Sequence, residues 1–88
     1  MEGKQMSQLK KYYVVRRTNQ KDEEFAVIHA LSLEEANAIF KVRYSADKET
    51  MKEGEAFLIF EAHEVLSFDN NSRGVFPSGE KVIIHKLS

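Results

Sequence analysis

Apolar positions along the chain change their spacing twice, and those changes divide it into elements. The run Tyr12-Tyr13-Val14-Val15 is aromatic and β-branched, the composition of a strand, and Arg16-Arg17 ends it. Polar residues 18–23 separate it from Phe25-Ala26-Val27-Ile28-His29-Ala30, a second apolar run of strand length, so the two read as a hairpin. From residue 33 the period becomes helical: Leu33, Ala36, Phe40, Tyr44 and Met51 fall at three- and four-residue steps with one skipped turn near Asp47. Ser32 stands before this pattern and Glu35 three positions on, placing a hydroxyl and a carboxylate where the free amides of a first helical turn need acceptors. Gly54 follows as a stop. A continuous helix over 33–52 would be about 30 Å long, more than twice the radius of gyration of about 12 Å of a domain this size. A bend or break is therefore expected at residues 45–47.

Residues 55–66 are the most apolar segment, and the unbroken Phe57-Leu58-Ile59-Phe60 predicts a central strand. Turn formers at 69–74 and at Pro77-Ser78-Gly79 bracket a short strand at Val75-Phe76 and leave 81–87 as a last strand. The element order is β-β-α-β-β-β. The fold class expected is α+β: a single, mostly antiparallel sheet of four to five strands with one principal helix on one face. Residues 1–10 read as a flexible polar lead and 11–88 as one domain.

Within the strands both alternating sets of side chains are apolar, whereas a sheet with one wet face would show one polar set. Ala26, Ile28, Ala30, Leu58, Phe60, Ala62, Val82 and Ile84 form a set suited to lie beneath a helix. The other set, Phe25, Val27, His29, Phe57, Ile59, His63, Val65, Ile83 and His85, with Glu61 and Leu87 beside it, carries all three histidines. One helix covers one face. The second set is therefore expected to form an interface with a second copy of the chain or another protein, unless residues 45–53 or the N-terminal lead fold back over it.

Composition narrows the chemistry. The 88 residues suffice for one domain, and 42% hydrophobic residues can build a core, though one too small for high stability. The absence of cysteine excludes disulfides, a thiol nucleophile and thiolate zinc sites, and fits a reducing compartment. No run of about 18 apolar residues occurs, and the start lacks the apolar stretch of a signal peptide. A cytoplasmic protein without membrane contact is the expectation. The net charge of −1 conceals +5 over residues 1–21, −7 over 22–64 and +1 over 65–88. Lys10, Lys11, Arg16 and Arg17 could meet phosphates while Tyr12, Tyr13 or Phe25 stack on bases, which makes a nucleic-acid-binding accessory protein the alternative reading. An isoelectric point near 6.3 and the acidic middle oppose it.

No constellation for catalysis emerges. The three histidines with Glu61 invite a metal or acid–base reading, yet they sit on three separate segments, and no metal is expected. Placed against an apolar partner they would instead make an interface sensitive to pH. Residues 69–80 resemble the EF-hand calcium loop, with Asp69 and Asn71 at its first and third positions, Gly74 at the sixth and Glu80 at the twelfth. Arg73 sets a cation at the fifth position, where that family has an oxygen ligand, and the flanks read as strands rather than helices. A polar hairpin turn is expected there. Gly74 and Gly79 match half of a phosphate loop, but Glu80 replaces its lysine and no helix follows. The sequence thus points to a small non-enzymatic interaction or regulatory module without cofactors, of a size common among accessory proteins of phages and mobile elements.

Overall fold

The computed structural model describes residues 9–63, 65–75 and 81–86. The lead over 1–8, the second half of the calcium-loop-like segment at 76–80, and Leu87 lie outside them. Strand β1 (Lys10–Arg17) and strand β2 (Asp22–Ala30) form the expected hairpin, helix α1 (Leu33–Arg43) and a short helix α2 (Ser45–Glu49) follow, and strand β3 (Ala56–Glu61) returns into the sheet. A two-residue pair, β4 (Ser67–Phe68) with β5 (Gly74–Val75), precedes the last strand, β6 (Ile83–Lys86). The main sheet has the antiparallel order β2-β1-β3-β6 with α1 on one face. This is the α+β arrangement the periodicity predicts. Among the described residues no helix is long and apolar enough to cross a membrane.

Local chemistry explains the helix boundaries. Ser32 Oγ accepts from the Glu35 amide at 3.1 Å, and the Glu35 carboxylate reaches back to the Leu31 amide, so both partners of the predicted cap are used. Acids in the first turn and Lys41 and Arg43 in the last oppose the helix dipole. At Tyr44 the backbone leaves helical dihedrals (φ −118°, ψ 31°), separating α1 from α2 one residue before the expected break. Its ring packs edge-on against Phe25, with centroids 5.2 Å apart.

The phase of the sheet faces differs from expectation. Beneath α1 lie Tyr12, Val14, Ile28, Ala30, Phe57 and Ile59, closed by Ala36 and Phe40 from the helix. Phe57 and Ile59, expected on an open face, are 1% and 0% exposed. The reason is register: Val14 stands opposite Ile59 and Tyr12 opposite Glu61, so the odd-numbered residues of β3 share the face of Tyr12 and Val14. Because both alternating sets are apolar, alternation alone left this phase undetermined. A bulge between Val14 and Val15 adds a further exception, since it inserts Phe25 into β2 and turns its ring towards Phe57, centroids 5.0 Å apart.

The opposite face is not bare. Tyr13, Val15, Ala56, Leu58 and Phe60 form a second buried cluster, against which Val27, Ala62, Leu66 and Val82 pack. The cover comes from the segment after β3 rather than from residues 45–53, and the Leu66 amide donates to the Tyr13 hydroxyl at 3.3 Å.

Candidate functional site

The nine residues expected to share an interface divide between several places. Phe25, Phe57, Ile59, Ile83 and His85 are packed on the helix side, the first four with the core and His85 stacked on Phe40 at 5.1 Å. Val27 and His29 lie towards the other face on the outermost strand, Val27 against the second cluster and His29 exposed. His63 and Val65 follow β3 and are exposed. The histidines do not share a face. Their expected union failed for the same reason as the face assignment: the β1–β3 register and the bulge in β2 invert the phase of one strand against another.

The structure exposes a different set. Of the seven exposed large apolar residues among those described, Val65, Phe68, Val75 and Ile84 belong to β6 and to the segment that folds over the second cluster. Ile84 is 55% exposed on an edge strand, next to Leu58 on β3. Arg17, Gly54, Glu55, Ala56, Leu58, Ile84 and Lys86 line an open depression of about 360 Å³ beside it. Its lining is mixed: Ala56, Leu58 and Ile84 are apolar, and of the three charged residues two, Arg17 and Lys86, are cations against the one acid Glu55, a balance that suits an apolar segment carrying negative charge. Sequence alternation isolated Leu58 and Ile84 as one set but assigned them to the wrong side.

One buried carboxylate holds this surface in shape. Asp22, at the start of β2, accepts from Arg17 Nε and Nη2 and from Arg73 Nη1, each at 2.9 Å, and from the Gly74 amide at 2.8 Å. Arg73 also donates to the Thr18 and Asn19 carbonyls. Ser72, in the left-handed region at φ 63°, turns its carbonyl onto the Asp22 amide at 2.7 Å. These bonds fasten the β4–β5 turn to the β1–β2 hairpin. Burial alone would raise the pKa of Asp22, but hydrogen bonds from Arg17, Gly74 and Arg73 outweigh it and bring the value down to about 2. Neither Asp22 nor Arg73 was marked as a structural partner by its sequence surroundings, since 51 positions separate them.

This clamp also answers the calcium-loop resemblance. Asp69 Oδ1 accepts from the Asn71 and Arg73 amides at 2.8 and 2.9 Å, capping its own turn, while Arg73 points to Asp22. A polar hairpin turn occupies the described part of that segment, as the departures from the family pattern predict.

The basic residues of the alternative reading are parted by the pleat. Lys11 and Arg17 project to the second face, Lys11 over the Tyr13 ring at 5.2 Å and Arg17 onto Asp22. Lys10 and Arg16 project to the other side, with Arg16 3.8 Å from the buried Glu55 carboxylate. Tyr12, Tyr13 and Phe25, the proposed stacking platform, are spent on packing: Tyr12 and Tyr13 are buried and Phe25 is wedged between Tyr44 and Phe57.

Burial shifts two titratable groups on the helix side of the sheet. Burial, followed by the charges of Glu61, Glu34 and Glu35, pushes the Tyr12 phenol up, so it stays protonated. Burial, with Lys48 and Lys41 adding repulsion, pushes the His85 imidazole down. Among the described residues no group of three or more His, Asp or Glu is placed to hold a metal ion. No family model, curated protein or solved structure matches the chain.

Proposed function

We propose that the chain is a non-enzymatic protein-interaction module whose contact surface is the side of the sheet away from α1, centred on Ile84. The observation that carries this reading is the exposed Ile84 beside a depression that Ala56, Leu58 and Lys86 also line, with Val65, Phe68 and Val75 exposed in the segment between β3 and β6. The partner it suits is a protein presenting an apolar segment with acidic flanks. Nucleic-acid binding has less to support it, because Lys10, Lys11, Arg16 and Arg17 divide between two faces and the tyrosines beside them are buried.

Affinity capture from the native host, followed by titration calorimetry of the captured protein once purified, tests this. Ile84→Glu should weaken binding at least about tenfold while leaving the melting temperature within a few degrees. Equal affinity for the native protein and the variant refutes the surface. Capture of material that nuclease releases refutes the partner class.

A further inference from the structure

The two flanks of α1 face opposite edges of the sheet, and the flank over β2 coincides with a strand edge that nothing described covers. Asn37 bonds to His85 on β6, and Lys41 and Lys48 act on the same imidazole, so that flank leans towards β6. With about 100° between successive helical residues, Glu35, Ile39 and Arg43 fall on the other flank, on the side of β2. Together with Ala38 and the 81% exposed Val42 they line a shallow apolar depression of about 390 Å³.

Beneath it β2 is the outermost strand. Its start is guarded, since Ser72 accepts from the Asp22 amide and the bulge distorts the strand at Phe25. Residues 26–30, Ala-Val-Ile-His-Ala, are a regular edge with none of the lysine, arginine or proline that ordinarily blocks edge pairing.

We infer that two copies of the chain pair along this edge as a twofold dimer, β2 antiparallel to β2 and α1 antiparallel to α1. Three features agree on one axis. The open segment is centred on Ile28. Because α1 runs back along β2, Ile39, about 9 Å into the helix, stands level with the strand about three residues before Ala30, at that same centre. The charges are self-complementary about Ile39: Glu35 of one copy faces Arg43 of the other, twice over, since α1 is acidic in its first turn and basic in its last. Pairing extends the sheet to eight strands, satisfies the open backbone groups of residues 26–30, and covers Val42 and Ala38. Both Ile84 surfaces then lie on the same side of one sheet, so a partner with two acceptor segments would be held by both. The inference goes beyond the interaction surface proposed above and does not depend on it.

Exchange of charges between two variants tests the geometry. Arg43→Glu and Glu35→Lys each convert two attractive contacts into repulsive ones, so each alone should dimerise about tenfold more weakly than the native chain. In an equimolar mixture the Arg43→Glu chain pairs with the Glu35→Lys chain through two restored contacts, and the mass by sedimentation should return to that of a dimer. Hydrogen exchange on the native chain gives a second reading that needs no variant: amides within 26–30 should gain protection as concentration rises. A chain that stays monomeric up to about 1 mM, a dimer indifferent to both substitutions, or exchange at 26–30 that ignores concentration overturns the inference. Ile84→Glu should leave dimerisation unchanged, which separates failure of this interface from failure of the other.

Discussion

Replacing Asp22 by asparagine keeps the shape of the side chain and removes the charge on which Arg17 and Arg73 converge. The carboxylate is shut from solvent and accepts four hydrogen bonds, three of them from guanidinium groups about one-third exposed. An acid that ionises at about 2 when folded and at 3.8 when unfolded contributes about 2 kcal/mol at neutral pH. A domain of this length has a total stability of about 4–13 kcal/mol, so Asp22→Asn should shift the urea transition visibly to lower concentration and lower the melting temperature by about 10 °C. The sign of the pH dependence follows from the direction of the shift. The folded state holds the charged form, so the contribution is complete above the unfolded value and fades as the pH falls from 3.8 towards 2. Urea unfolding followed by circular dichroism should show a gap between the native chain and the Asp22→Asn variant that is constant from pH 7 to 5 and closes towards pH 2. A variant as stable as the native protein at pH 7, or a gap unchanged at pH 2, would refute the clamp.

Three further measurements examine other parts of the structure. Phe57→Ala removes a ring from beneath α1 and should cost about 3–5 kcal/mol, whereas Ile84→Ala on the open side should cost less than about 1 kcal/mol; equal losses in urea unfolding would reverse the assignment of faces. His85, whose imidazole burial and lysine neighbours hold below the ordinary value of about 6.5, should favour the folded state less as pH falls through that range, because the unfolded chain takes up the proton first; a proton NMR titration with a midpoint at or above 6.5 contradicts this. Gly54 has φ +91°, and a methyl group there would come within 2.6 Å of Asn19 Oδ1. Gly54→Ala should therefore destabilise by about 1–2 kcal/mol, and adding Asn19→Ala should recover only the clash, leaving the backbone strain visible in the melting temperature.

The Ile84 surface and the β2 edge face different directions and call for different kinds of contact. The first is a side-chain surface with a basic rim, suited to recognition by shape and charge. The second offers backbone donors and acceptors with a self-complementary helix flank, suited to a second copy of the same chain. If both operate, the dimer doubles the valency of the Ile84 surface, and binding to a bivalent partner rises through effective concentration without any new contact.

Much of this molecule is legible in its residues. Local rules sufficed for the hairpin, since Tyr12-Tyr13-Val14-Val15 and Phe25-Ala26-Val27-Ile28 have strand composition about a polar turn, and for α1, since Ser32 and Glu35 cap a helical apolar period. They sufficed also for the interruption near Tyr44, where helix length conflicted with domain size, and for the turn at 69–74, where Arg73 contradicted a calcium loop. Which side of each strand faces α1 was beyond them. Alternation carries that information only when one set is polar, and in β2, β3 and β6 both sets are apolar. The decision came from pairing: the β1–β3 register placed Phe57 and Ile59 under the helix, and a single bulge moved Phe25 across. The cover by Leu66 and the Asp22 clamp likewise join residues 53 and 51 positions apart, and such contacts exist only once the chain has folded. What the sequence determined by itself was the elements and the surplus of apolar surface on a second face; the tertiary structure decided which residues form that face, because register is a property of two strands and not of either one.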